Sequence, residues 1–444
     1  MSEPGESRLE AGFAAVPLPY RPGFPLGGYA ARRGGGLAAH DRLEVRALTI
    51  ATSGRRLGLA LLDVVEVGSE LVVEIRRAAS DLGHDDLLIW VAATHTHSGL
   101  DPSRLEEGAR RGVVRATVDA LRKAADDELP VRLRWNSGSV RQLGTIRNRP
   151  ERGDEVPLGL LRLEGERGQL RGLLLTIDCH PTVLGANNRR ASADLPGAVR
   201  DQLAEFLSAP AAPWVGVATG AAADVSTRHT RRAATFAELR RFGRLVANRV
   251  LELADTAEEL GPPSLSWAAE VLELPGRPPL PSVALARLER RLGARRARAL
   301  ALGRPAEART LETALQGVAI ERSRATSVPQ VAELAVARLG ALALVAVPGE
   351  LYLEHGRELR RRLHPAIILG YANGYLGYLP PARLYPEPDY EVLASPVGPG
   401  AAEQLVETAV RLATSPVDQT LDEAPDPKRR GGPRRPGSAR GGRR

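Results

Sequence analysis

The amino-acid sequence predicts an α/β fold: mixed β-sheets flanked by helices, with the reactive side chains at the C-terminal ends of strands. Three observations carry this. Five short apolar runs each stop at a cluster of polar residues or glycine. Amphipathic stretches with helical spacing lie between those runs. The polar clusters also fall beyond strand C-termini, where α/β sheets gather their ligands.

Residues 8–66 read as strands and turns around Pro19, Pro22, Pro25, Gly27 and Gly28. The run LLIWVAAT then predicts a buried strand, because apolar runs this short are strands more readily than helices. It ends at His95-Thr96-His97-Ser98-Gly99. Residues 103–126 set Leu, Val and Ala against Arg and Glu at helical spacing. LLLTID is the second strand, ending at Cys179-His180-Pro181, and a helix over 195–207 follows. WVGVAT runs into Gly220 and Asp224-Val225-Ser226 ahead of a helix over 233–256. A Pro/Arg-rich stretch interrupts the pattern between Gly261 and Val328. Its segment ALARLERRLGARRARALALGRPAEARTLETAL reads as one or two surface helices, making 263–335 a partly helical insertion. ALALVAV stops at Pro348-Gly349-Glu350, a helix covers 353–363, and AIILGY stops at Ala372-Asn373-Gly374-Tyr375. One domain over 1–420 and a disordered tail over 421–444 account for the chain.

Hydrophobic residues at 43% and charged residues at 26% are those of a globular protein. The net charge of +8 invites a nucleic-acid reading, but Lys428, Arg429, Arg430, Arg434, Arg435, Arg440, Arg443 and Arg444 account for all of it. The excess therefore describes a Gly/Pro/Arg tail that cannot bury enough surface to fold, and no specific nucleic-acid partner is expected. The single cysteine, Cys179, excludes an intramolecular disulfide and a Cys-rich zinc knuckle. It reads as a small buried residue on the strand face opposite His180. The acidic N-terminus has no basic start or apolar run of a signal peptide, and no segment suits a membrane helix, so the expected location is the cytoplasm.

Only eight histidines occur, and His95, His97 and His180 sit where strands end. Period-two alternation puts Ile89, Val91, Ala93, His95 and His97 on one face, and Leu174, Thr176, Asp178 and His180 on another. Strand ends can project imidazoles into a rigid pocket, as a metal site needs. Spacing alone leaves two readings open: a metal site, or histidines satisfied in the core or at the surface. Glu350 is equally placed to complement a helix N-terminus, Ser226 to cap a helix, and Asn187, Asp194 and Asn373 to serve turns or to bind polar groups.

THTHSG, CHPT, DVS, VPGE and ANGYLGYLPP together, in this order, resemble the catalytic region of the neutral/alkaline ceramidases, as do GFAAVPLPYRPGFPLGGYAAR and HDRLEVR near the start. The likeness runs from about residue 10 to 415 and is loosest over 263–335. It implies zinc ligands at His95, His180, Glu350 and Tyr378, with Tyr375 the alternative if the register slips. It places Ser226 beside the zinc as nucleophile, Asp224 with it, and His97 as acid or oxyanion donor. Asn373 and Tyr375 would contact substrate. The implied activity is zinc-dependent hydrolysis of an N-acyl bond, in N-acylsphingosine or another small-molecule or lipid amide. A different amide or ester, or a non-catalytic zinc-binding module, are the alternatives. The pattern departs from the family at GAAADVSTRHT, where Asn and Gly usually precede the Asp and Pro-Asn follows the Ser. Ala222 and Ala223 remove an amide and a flexible turn, and Thr227 and Arg228 bring bulk and charge. Whether the serine or a zinc-bound water attacks is left open.

Overall fold

The computed structural model describes residues 8–52, 54–80, 87–152, 155–207, 212–262 and 264–415, so the tail over 421–444 lies outside the described residues. Two stacked sheets form its centre, with helices on both outer faces. The larger sheet contains β1 (Glu10–Pro17), β2 (Glu44–Thr52), β3 (Arg55–Leu62), β4 (Leu87–Ala93), β5 (Leu129–Val140), β6 (Val156–Gly165), β7 (Leu170–Ile177) and β8 (Trp214–Thr219). Their order is β8-β7-β6-β5-β1-β2-β3-β4. The smaller sheet runs β9 (Leu265–Leu274), β10 (Gln330–Leu339), β11 (Leu342–Ala346), β12 (Ala366–Leu369) in that order.

Strand alternation decides the layering. In β4, Ile89, Val91 and Ala93 pack toward α1 (Ser69–Ser80) and α2 (Glu107–Asp126), while Trp90 and Ala92 face the second sheet. Burial on both faces is why the run is apolar throughout. β7 behaves alike: Leu173, Leu175 and Ile177 pack on α3 (Asp194–Phe206) and α4 (Phe236–Asp255), and Leu174 enters the inter-sheet core. Cys179 packs with the outward set and is buried, as expected. In the inter-sheet core Leu48, Leu344 and Ile367 are almost wholly buried, each contributing about 1.5–3 kcal/mol. The second sheet is covered outside by α7 (Leu353–Arg362) and α9 (Ala401–Thr414).

Within these two sheets, three parallel pairs interrupt the otherwise antiparallel pairing of the described strands: β3 with β4, β7 with β8, and β11 with β12. Each is joined through a crossover helix, α1, α3 or α7, because a chain must return to the same end before it can pair in parallel. These are the units that deliver the candidate residues. β4 and β8 lie at opposite ends of the pairing order, yet Thr219 Oγ1 donates to the carbonyl of Thr94 at 2.7 Å. The sheet thus curls until its two ends meet.

Residues 263–335 hold β9, two helices and the start of β10. The helices are α5 (Ser282–Ala301) and α6 (Pro305–Arg322), separated by Gly303 at φ +65° and by Pro305 at the first turn of α6. They close on their own small core of Leu285, Leu288, Leu292, Leu311 and Val318, together with Leu393 of α8 (Tyr390–Ala394). Among the described residues no helix is long and apolar enough to cross a membrane.

Candidate metal centre

The strand ends converge. His95 follows β4, but its φ of +60° lies in the left-handed region, which costs a non-glycine residue about 1–2 kcal/mol. The period-two alternation therefore stops at Ala93, and the expectation that His95 and His97 continue that face is corrected: a turn, not the pleat, brings them in. Val65's carbonyl lies 2.6 Å from His95 Nδ1, and Tyr371 stacks on the imidazole with ring centroids 4.0 Å apart. His180, after β7, has its Nδ1 2.8 Å from the carbonyl of Ala222. With a carbonyl at each Nδ1, the proton belongs there and Nε2 keeps its lone pair.

Those lone pairs face one another. His95 Nε2 lies 3.0 Å from His180 Nε2 and 3.2 Å from His97 Nε2. Glu350 Oε2 is 3.3 Å from His180 Nε2 and 3.6 Å from His95 Nε2, and it is buried without a hydrogen-bond partner. Burial lowers the pKa of His95 to about 3 against the pull of the Val65 carbonyl. Burial, with neighbouring positive groups, likewise holds His97 and His180 well below the ordinary value. The imidazoles are neutral at pH 7, so their contacts with Glu350 are not ion pairs. Burial raises Glu350 to about 7, opposed first by its hydrogen bond from Tyr375. Bare nitrogen lone pairs and an orphaned carboxylate oxygen packed within van der Waals reach repel unless a cation lies among them. This donor set fits a divalent metal, and mixed imidazole–carboxylate ligation suits zinc.

The structure brings His95, His97, His180 and Glu350 together, so His97 joins the donor group beyond its expected role as acid or oxyanion donor. Tyr375 O–H donates to Glu350 Oε1 at 2.6 Å. Tyr378 pairs in register with Glu350 through the two-residue strands at Glu350–Leu351 and Tyr378–Leu379, and its ring stacks on His180 at 6.5 Å. Burial raises both phenols well above the usual value. Both tyrosines therefore border the centre. Asn373 is buried and tied to β4: its Oδ1 accepts from Val91 N at 3.0 Å and its backbone N–H donates to the Val91 carbonyl at 2.8 Å, holding the segment after β12. Asp224 turns toward α7, where Oδ1 accepts from Leu353 N at 2.9 Å. Burial raises its pKa to about 6. Ser226 pairs by backbone with His180, and its Oγ accepts a long 3.4 Å bond from Arg228 N at the start of a short 3-10 turn. Among the described residues no imidazole or carboxylate hydrogen-bonds that hydroxyl.

The GAAADVS departure is absorbed locally. Ala222 supplies the carbonyl beside His180, and Ala223 packs against Tyr352 and Tyr378. Two buried ion pairs brace the strand ends. Asp178 takes Arg360 of α7 at 2.7 and 2.8 Å, and Asp63 takes Arg200 of α3 at 3.0 and 2.7 Å. Sequence reasoning missed Tyr371 and Arg147. Arg147 is buried beside Tyr378, with its guanidinium 5.8 Å from the ring centroid and Nη2 2.9 Å from Glu391. Burial pulls its pKa down, but Glu391, Tyr378 and Glu350 outweigh this and hold it above the usual value. A lone arginine in GTIRNRP carries no periodic signal. Tyr371, the last residue of the AIILGY run, offered only its neighbourhood.

Strands from two sheets converging on an imidazole–carboxylate centre define the class: a layered α/β protein with a candidate metal site at crossover strand ends. No family model and no curated protein matches the sequence. Among solved structures, the fold is that of a neutral ceramidase from Pseudomonas aeruginosa, with a TM-score of 0.75, 19% identity, and cover of 95% of this chain and 77% of that one. A ceramidase solved in complex with C2 gives a TM-score of 0.73 at 17% identity, covering 95% of this chain and 78% of that one. The fold expected from the ordered segments is the fold found.

Proposed function

We propose that the protein is a zinc-dependent hydrolase of an N-acyl bond. The carrying observation is the clustering of the His95, His97 and His180 Nε2 atoms, with the lone pairs of His95 and His180 set beside the unpartnered oxygen of Glu350. The similarity to structures named as ceramidases supports the same reading. His95, His97, His180 and Glu350 would hold the ion, with the Tyr378 and Tyr375 phenols at its margin. A zinc ion there supplies the positive charge that polarises an acyl carbonyl and acidifies a water molecule.

The protein's own groups do the rest. Val65 and Ala222 fix the tautomers of His95 and His180, so neither ring must reorganise. Tyr375, by donating to Glu350, favours its ionised form against the burial that raises its pKa. The Arg147 guanidinium adds fixed positive charge near the position where oxyanion charge develops. Hydrolysis adds water across the C–N bond: the oxygen goes to the acyl carbon, a proton goes to the departing nitrogen, and a carboxylate and an amine leave. Ser226, paired by backbone with His180, would act as nucleophile or as water-positioning group.

A non-catalytic zinc-binding role is the second reading, favoured because no imidazole or carboxylate among the described residues bonds the Ser226 hydroxyl. Metal analysis and turnover of an N-acyl amine panel, which includes ceramide, separate the two. The hydrolase reading expects near-stoichiometric zinc and activity abolished by His95→Ala. Absence of zinc together with unchanged His95→Ala activity rejects it. Ser226→Ala distinguishes the attackers: loss of about 10³-fold or more marks a nucleophile, and a loss of tenfold or less marks water.

A further inference from the structure

Beside the histidines lies a recess of about 480 Å³, lined by Tyr29, Asn187, Ser226, Arg228, Arg231 and Arg309. It adjoins the proposed metal centre through two of these residues. The Tyr29 ring packs edge-on to His97 with centroids 4.9 Å apart, and Ser226 is paired by backbone with His180. Its remaining walls offer no large apolar side chain: Ala31, Gly185, Ala186 and Ala234 are the apolar contributors.

The charge in this recess is not balanced. Arg309 is paired with Glu312 at 3.0 Å on α6. Arg228 instead donates to a neutral hydroxyl, Thr310 Oγ1, at 3.0 Å. Arg231 donates to backbone carbonyls, those of Thr182 and, at 3.0 Å, Val183. Neither Arg228 nor Arg231 has a carboxylate in ion-pair contact among the described residues. Burial and then the crowding of Arg147, Arg309 and Arg231 pull Arg228 down to about 10, outweighing the help of Glu391. Covering such guanidiniums with the methylenes of a long lipid chain would desolvate them without a partner, which is costly. An oxyanion would instead receive charge-assisted, forked hydrogen bonds.

We infer that the substrate is a compact anionic amide, an N-acyl amine carrying a carboxylate or phosphate, whose oxyanion sits among Arg228, Arg231 and Arg309 while the amide reaches the histidine centre. This rests on the hydrolase reading above. Two of the three cations sit on distinct segments around the site: Arg228 directly after the Ser226 segment, and Arg309 on the α5–α6 hairpin. The α5–α6 helices thus act as a specificity element beside the site.

Matched substrates test this on the zinc-loaded protein: N-hexanoylglycine against its neutral amide N-hexanoylglycinamide, and N-hexanoylethanolamine phosphate against N-hexanoylethanolamine. The anionic member of one pair should be preferred by about 10- to 100-fold in kcat/KM, through KM. The preference should shrink with added salt, fall in Arg228→Gln and Arg309→Gln, and return in Arg228→Lys. The favoured pair identifies carboxylate or phosphate. Equal or better turnover of the neutral members overturns the inference while leaving the hydrolase intact. If no amide is turned over, the hydrolase reading fails, and calorimetry with hexanoylglycine and inorganic phosphate decides the recess. Binding weakened by Arg228→Gln and Arg309→Gln upholds an anion site; no binding by wild type overturns it.

Discussion

Replacing Glu350 by Gln should push stability in opposite directions with and without metal. In the metal-free protein the buried carboxyl has its pKa raised from 4.5 to about 7. A raised carboxyl pKa means the folded state holds the proton more tightly than the unfolded chain. Ionisation is therefore a penalty, absent below about pH 4.5 and complete above about pH 7. A shift of roughly 2.5 units at 1.36 kcal/mol each puts that penalty near 3 kcal/mol at pH 8. Glutamine carries no such cost. Its Oε1 can still accept from Tyr375, and its amide N–H can face the Nε2 lone pairs that lie 3.3 and 3.6 Å from the present Oε2. Chelator-treated Glu350→Gln should thus exceed wild type by about 3 kcal/mol at pH 8 and by little at pH 4.5. With zinc the order should reverse. Wild type gains about 4 kcal/mol at a thousandfold excess over its Kd, whereas the variant loses an anionic ligand and most of that gain. Urea denaturation of both forms at the two pH values measures all four quantities. A metal-free variant weaker than wild type at pH 8, or an undiminished response to zinc, would refute the reasoning.

Other outcomes follow from the same geometry. Zinc affinity should rise about tenfold per pH unit from pH 5 to 7 and then level, because one group, Glu350, must lose a proton while the three imidazoles are already neutral; competition against a chromophoric chelator should give a slope of one, not three. Gly28→Ala should destabilise the fold by about 1–3 kcal/mol and weaken zinc binding, since a Cβ there, at φ +85°, would lie 2.4 Å from His97 Nδ1; denaturation and metal titration read the two effects separately. Arg360→Ala should cost about 3–5 kcal/mol in urea melts, leaving Asp178 buried and uncompensated next to His180.

Much of the fold was legible because burial on both strand faces writes itself as continuous apolar runs, which is how β4, β7, β8, β11 and β12 were found. β5 escaped because Arg132 and Arg134 alternate along it, and α9 because its apolar stripe follows no polar cluster that drew attention. His95, His180 and Glu350 were legible as polar residues abruptly ending such runs. What sequence could not supply was the left-handed turn at His95 and the backbone carbonyls of Val65 and Ala222, since neither depends on side-chain type. Arg147 was hidden for a related reason: its partner Glu391 lies far along the chain, and only the closed fold brings the two together.

The histidines are mounted on the larger sheet and Glu350 on the smaller, which gives a bound ion a mechanical role. It would clasp two layers that otherwise adhere through an apolar core and a few ties at the strand ends, such as Asn373 with Val91 and Arg360 with Asp178. Occupancy should then be felt well away from the pocket, as slower amide exchange along β11 and β12, and stripping the ion should loosen the seam between the layers before either layer itself unravels.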